Sequence, residues 1–231
     1  SDASVFILRG YAGTGKTTMV KVVADYITQS RQLTMMAPTG RAARVLSVKT
    51  GYEATTIHKA IYEKAHIVPK KVKDIAESEF KFMFPIHRSE NGGNVVAIVD
   101  EASMVCSRKI EHELFIFGTD NLMDDLLTYV RPNFGGKIIF VGDPAQLPPV
   151  GEAVSNALRA DFFQKKGLKV IETELTEVLR QKGDSIILKN AMMIRDLLNK
   201  DKRNQLVFDE QKDDVETVPS EQFLDKYLNN R

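Results

Sequence analysis

The sequence predicts an α/β fold, a mostly parallel sheet with helices on both faces. Three observations carry this reading. A glycine-rich loop, Gly10-Tyr11-Ala12-Gly13-Thr14-Gly15-Lys16-Thr17-Thr18, joins a short apolar run at Val5–Leu8 to a helical stretch at Met19–Ile27. Further apolar runs of strand length alternate with helical segments, the pattern of strands buried on both faces. Polar clusters stand directly after these runs, where open parallel sheets bind ligands beyond the carboxyl ends of their strands.

The elements follow in chain order. After the first strand and helix, Leu33–Ala37 reads as a second strand and Gly40–Leu46 as the start of a helix. Val95–Val99 is a third strand, ending in Asp100-Glu101. Lys137–Val141 is a fourth, ending in Gly142-Asp143-Pro144, and Leu168–Ile171 a fifth. Ser185–Lys200 reads as an amphipathic helix with Ile187, Ala191, Ile194 and Leu198 on a core-facing stripe. A short helix from near Ser220, with Phe223, Leu224, Tyr227 and Leu228 on one side, closes the chain.

The spacing Gly10-x4-Gly15-Lys16-Thr17 is that of the nucleotide-phosphate loop, and strand–loop–helix is the context the motif requires. Glycines let the backbone wrap an anion, and the N–H groups of the loop and helix start point at phosphates. Gly10, Gly13, Thr14 and Gly15 therefore shape the cradle. Lys16 adds a point charge, and the Thr17 hydroxyl is placed for Mg²⁺. Asp100-Glu101, at a strand end, occupies the place of the second acidic motif of phosphate-loop NTPases. Asp100 is expected to hold Mg²⁺, and Glu101 to take a proton from the attacking water. Adjacent residues at a strand end point to opposite faces, which separates the two roles.

With 231 residues, the chain suits one large domain with a small insertion. Its formal net charge of +1, with acids and bases interspersed, rules out a global basic field, so any nucleic-acid site must be a local groove. The single Cys106 excludes a disulfide framework within the chain and fits a reducing compartment, so a cytoplasmic location is expected. Its apolar neighbours suggest core filling rather than reactivity. No apolar run approaches membrane-spanning length, and the core strand so near the first residue argues against a secretory leader.

Six segments in order then resemble superfamily 1 DNA helicases, most closely the RecD-like group. They are GYAGTGKTT at 10–18, APTGRAA at 37–43, TTIHKA at 55–60, VDEASMV at 99–105, VGDPAQLPPVG at 141–151 and ELTEVLRQ at 174–181. The resemblance implies a RecA-like phosphate-loop NTPase fold, ATP with Mg²⁺ as cofactors, and 5′-to-3′ movement on single-stranded DNA. By position it implies that Thr18 extends the phosphate cradle and that Asp143 supports its loop near the metal. Gln146 would sense the γ-phosphate, and Arg180 would reach it as a cationic stabiliser. Pro38, Thr39, Gly40 and Arg41 would meet a DNA phosphate at a strand-to-helix turn, with Thr55, Thr56 and His58 as a second contact.

Residues 64–92 are expected to form a small subdomain inserted before the Asp-Glu strand. Within it Phe80, Phe82, Phe84 and Ile86 alternate as in a half-exposed strand, whose phenylalanines are expected to cover the sheet edge. Asn91-Gly92-Gly93-Asn94 then reads as a loop leading to Val95. In the family an insertion near here supplies a duplex-splitting wedge. The basic run His66–Lys73 offers charge for DNA phosphates, although such runs are commonly only solvated.

Family motors carry a second RecA-like domain that supplies an arginine finger. No segment after Arg180 resembles its motifs, and an adenine-reading glutamine upstream of the loop has no room. The expectation is a first motor domain, cut at both ends, with weak turnover alone. The implied partners are single-stranded DNA, the second domain, and a recombination or nuclease complex of the kind RecD-like helicases join. An RNA helicase domain and a nucleotide-switched binding module stay open. No acidic metal cluster beyond the nucleotide site supports nuclease activity in the chain itself.

Overall fold

A computed structural model describes residues 2–69, 80–87 and 94–177, together with 190, 193 and 194. The chain divides into two compact units, Ser1–Val178 and Leu179–Arg231. In the second unit Asn190, Met193 and Ile194 are helical, as the 185–200 periodicity predicts. Ile194 is exposed rather than packed as core. The other stripe residues, the helix near Ser220 and Arg180 lie outside the described residues.

The first unit is built on a six-stranded sheet of order β3-β2-β6-β8-β1-β9. Its strands are β1 (Val5–Gly10), β2 (Gln32–Ala37), β3 (Ala54–Thr56), β6 (Val95–Val99), β8 (Lys137–Gly142) and β9 (Val170–Leu175), and every pairing is parallel. Five α-helices accompany it: α1 (Lys16–Ile27), α2 (Gly40–Thr50), α3 (Ile57–Ile61), α4 (Leu122–Val130) and α5 (Ala160–Gln164). The two-residue period of the strands divides the core. Leu8, Met35, Val96, Ile98 and Val141 pack with Val20, Ala24 and Ile27 of α1 and Leu46 of α2. Val5, Ile7, Met36, Ala97, Val99, Ile138 and Phe140 pack with residues of α3, α4 and α5. Central β6 is buried along its whole length, which is why it reads as an unbroken apolar run.

The last strand of this sheet corrects the sequence reading. Leu168 is buried but stands before β9, and the strand continues through the polar stretch Glu172-Thr173-Glu174. β9 is an edge strand with exposed positions, so an apolar run marks its start poorly.

The phenylalanine strand is also relocated. β5 (Phe80–Phe84) does not cover the edge of the main sheet. It pairs antiparallel with β4 (His66–Pro69) and parallel with β7 (Phe115–Phe117) in a separate three-stranded sheet. β7 comes from the segment after the Asp-Glu strand, so this sheet combines the insertion with a later stretch. Of the basic run, residues 66–69 form β4, whereas Lys70, Lys71 and Lys73 lie outside the described residues, as do residues 91–93 of the expected loop.

Aromatic packing joins the small sheet to the body of the six-stranded sheet. Phe84 and Phe117 stack at 4.6 Å between ring centres, and Phe117 meets the His58 ring edge-on at 5.3 Å. Beneath them the fully buried Asp125 accepts hydrogen bonds from the Tyr62 hydroxyl (2.7 Å), the Thr119 hydroxyl (2.7 Å) and the Thr119 N–H (3.0 Å). Burial, then the bond to Asp125, pushes the Tyr62 phenol well above its ordinary value. Gly118 has φ +51°, and a Cβ there would run into the Asp125 carboxylate, so the turn that delivers Thr119 needs glycine.

Candidate nucleotide and nucleic-acid site

The parallel strands place their carboxyl ends along one edge, and the sequence-predicted polar clusters meet there. The phosphate loop follows β1, Asp100-Glu101 follows β6, and Asp143–Gln146 follows β8; these three strands are neighbours in the order β6-β8-β1. Pro38-Thr39 follows β2 on the same edge.

In the loop, Gly13 and Gly15 are left-handed at φ +85° and +86°. Gly15 is the N-cap of α1 and has no side chain to cap with, so the first-turn N–H groups face the loop without competition. The buried Thr14 hydroxyl donates to the Tyr11 carbonyl at 2.9 Å and holds the loop closed from below. Lys16 Nζ donates to the carbonyls of Gly10 (2.6 Å) and Tyr11 (2.9 Å), spanning the cradle with its charge. Thr17 is part-exposed and Thr18 exposed at the start of α1.

Asp100 is fixed by its own N–H, which donates to Met36 O at 2.9 Å. Burial pushes its carboxyl above the ordinary value; the Glu101 charge adds to this, while the Glu101 backbone bond and the Lys16 charge oppose it. Glu101 is not in strand geometry. It is left-handed at φ +51° and caps the short 3-10 helix Ala102–Met104. The chain thus leaves strand geometry in a sharp turn at Glu101, so strand alternation does not set the relation of the two carboxylates.

Asp143 is buried, and its Oδ1 accepts from Ala145 N–H at 2.9 Å while its carbonyl accepts from Gln146 N–H at 3.2 Å. This local turn stiffens the loop that carries Gln146. Gln146 Oε1 accepts from the Ser103 hydroxyl at 2.7 Å, and Ser103 is fully buried. Ser103 was not among the sequence-predicted residues. Its place in Asp-Glu-Ala-Ser was the available signal, but a serine before apolar residues reads equally as a helix cap. The bond occupies the Gln146 carbonyl oxygen and leaves the amide donors to meet an anion.

On the nucleic-acid side, Thr39 N-caps α2 by accepting from Ala42 N–H at 3.2 Å, Pro38 is part-buried before it, and Arg41 is exposed in the first turn. Thr56 caps α3 in the same way, accepting from Lys59 N–H at 3.2 Å. His58 lies at the surface with its ring against Tyr62 and Phe117. Desolvation by this packing, then the His112 charge, lowers its pKa, with Asp125 opposing. His58 thus joins the body of the six-stranded sheet to the small sheet, whatever else it touches. Cys106 is buried, and burial followed by a hydrogen bond to Glu152 pushes its thiol up, which suits an unreactive cysteine.

The donors present fit a magnesium nucleotide. The loop is a glycine cradle crossed by one lysine, with a hydroxyl at Thr17 and an acidic side chain, Asp100, on the same sheet edge. Among the described residues no three His, Cys, Asp or Glu side chains cluster as a metal site. One carboxylate, a hydroxyl and phosphate oxygens are the usual protein share of a Mg²⁺ shell. Among the described residues no helix is long and apolar enough to cross a membrane.

A family model described as an AAA domain, AAA_30, matches residues 1–219. The chain is 29% identical over 192 residues to the ATP-dependent RecD2 DNA helicase of Deinococcus radiodurans, covering 80% of this chain and 21% of the relative. It is 30% identical over 188 residues to the ATP-dependent DNA helicase dda of Enterobacteria phage T4, covering 78% and 35%. The chain thus spans well under half the length of these relatives. Among solved structures, Pif1 helicase at forked double-stranded DNA shares the fold with a TM-score of 0.52 at 23% identity, covering 87% of this chain and 46% of that one. The Pif1 helicase from Candida albicans gives 0.51 at 20%, covering 85% and 40%. The phosphate loop on β1, the acidic turn on β6 and the glutamine loop on β8 stand on the sheet that these helicases share, and the chain belongs to the AAA_30 family, as a RecA-like domain of the superfamily 1, Pif1/RecD-like helicase type.

Proposed function

We propose that this chain is the first motor domain of an ATP-dependent DNA helicase, coupling hydrolysis of Mg-ATP to 5′-to-3′ movement on single-stranded DNA. The observation that carries the reading is the Ser103–Gln146 hydrogen bond, which ties the acidic turn to the glutamine loop on adjacent strands. A change felt at the phosphates then has a mechanical route across the sheet edge.

The described side chains have tasks suited to their geometry, and Arg180 has the one its motif implies. Lys16 and the loop N–H groups bind and orient the phosphates, and Thr17 and Asp100 would hold Mg²⁺. Bound there, the ion would supply positive charge to offset that of the phosphates. Glu101, carried on the left-handed turn after β6, accepts the proton of the attacking water. Gln146 offers its amide donors to the γ-phosphate, and Asp143 keeps its loop in place. Arg180 and a second RecA-like domain complete the cationic stabilisation. Arginine fingers elsewhere contribute about 10³–10⁵-fold in rate, so turnover by this chain alone is expected to be weak. The single strand runs over the turns after β2 and β3, where Pro38, Thr39 and Arg41, then Thr56 and His58, face it. Residues 64–92 belong, in this reading, to a small subdomain near the duplex junction, with β7 completing its sheet.

The DNA half is tested by titrating oligo-dT against the chain at several salt concentrations. Arg41→Ala should weaken binding and flatten the salt dependence by about 0.7 in the log–log slope, the share of one phosphate contact on single strands. An unchanged slope would remove Arg41 from the track.

A further inference from the structure

One carboxylate beside the nucleotide site serves no step described so far. Glu152, just beyond the glutamine loop, reaches back to the segment that follows the acidic turn. Its Oε1 accepts from Ser107 N–H (2.6 Å) and from the Cys106 thiol (3.0 Å), and its Oε2 accepts from the Ser107 hydroxyl (2.9 Å). Asn156 donates to the Ser107 hydroxyl oxygen at 2.8 Å, and Arg108 donates to Val150 O at 3.0 Å. Burial pushes the Glu152 carboxyl up, but the donated bonds outweigh it and hold the group below its ordinary value, so it is ionised at neutral pH. Between these bonds and Ser103–Gln146, the segments 103–108 and 146–156 are joined at both ends.

Apolar burial in the glutamine loop is concentrated at Pro149, whereas Leu147 and Val150 are 85% and 90% exposed. A convergent set of bonds to a charged acceptor, stronger than neutral ones, adds a directional restraint.

We propose that Glu152 is a positioning residue for Gln146: its carboxylate locks the glutamine loop to the acidic-turn segment through Cys106 and Ser107, so that Gln146 is held where a γ-phosphate can be sensed. This rests on the nucleotide-binding reading above. Glu152 touches no phosphate in this scheme, so its loss should spare ADP.

The test compares the affinity of the chain for Mg-ADP and for a β,γ-imido ATP analogue, with thermal unfolding as a fold check. Wild type should bind the analogue differently from ADP. Glu152→Ala should erase that difference, with a change of at least tenfold for the analogue and less than threefold for ADP. Glu152→Gln, which keeps one acceptor oxygen, should restore most of it. If Glu152→Ala does not fold, Ser107→Ala, which removes the donor to Oε2, gives the same comparison. A variant that still discriminates like wild type overturns the proposal and leaves the nucleotide site standing. Equal losses for both nucleotides also overturn it, since they mark a merely structural staple. A wild-type chain that binds both nucleotides equally overturns it while leaving nucleotide binding intact, and one that binds neither defeats the nucleotide reading itself.

Discussion

Lys16→Ala is expected to abolish nucleotide binding while leaving the fold intact. Lys16 is the cation that crosses the cradle, and among the described residues it donates to the Gly10 and Tyr11 carbonyls of the same loop. Hydrogen bonds to a charged group contribute about 1.5–3 kcal/mol each, so losing two to phosphate costs roughly 100-fold or more in affinity. The core residues beneath α1, Val20, Ala24 and Ile27, are untouched, so the unfolding midpoint should stay near wild type. Isothermal titration with Mg-ADP gives the answer. Retained affinity would mean that the backbone cradle alone carries the phosphates.

Glu101→Gln is expected to separate binding from hydrolysis. ATP turnover should fall by about 10²–10⁴-fold, the usual share of a general base. Nucleotide affinity should remain within a few-fold. Gln has nearly the same shape, and the left-handed backbone at Glu101 is no more strained with it, so the turn into Ala102–Met104 is preserved. Single-turnover hydrolysis, read beside nucleotide binding, distinguishes a lost proton acceptor from a collapsed turn. Undiminished turnover would take the base role away from Glu101.

The parts of this molecule that were legible in the sequence are those governed by local rules. The strand–glycine loop–helix at 5–27 and the fully buried β6 announce themselves by composition and period, because each is buried or bent by its own residues. The convergence of 10–18, 100–101 and 143–146 followed from the parallel sheet, which places every strand's carboxyl end on one edge. What was not legible depends on pairing at a distance. Phe115–Phe117 gave no sign that it completes a sheet with residues 66–69 and 80–84, since a three-residue strand has almost no periodicity. The edge strand β9 hid its extent behind exposed polar positions. The left-handed turn at Glu101 and the bonds from Ser103 to Gln146 and from Ser107 to Glu152 are tertiary facts, set by how two loops meet. His58 and Thr56 carried a motif, yet their ring packing and cap hydrogen bond are decided by neighbours the motif does not mention.

The coupling itself is the central claim, and it is a difference of affinities rather than a single affinity. It is measured most directly by binding of single-stranded DNA to this chain at low salt, first with Mg-ADP and then with a non-hydrolysable ATP analogue. DNA should bind, with an affinity that shifts several-fold between the two nucleotides. DNA affinity that is identical in both states, with nucleotide bound, would contradict coupling in this domain.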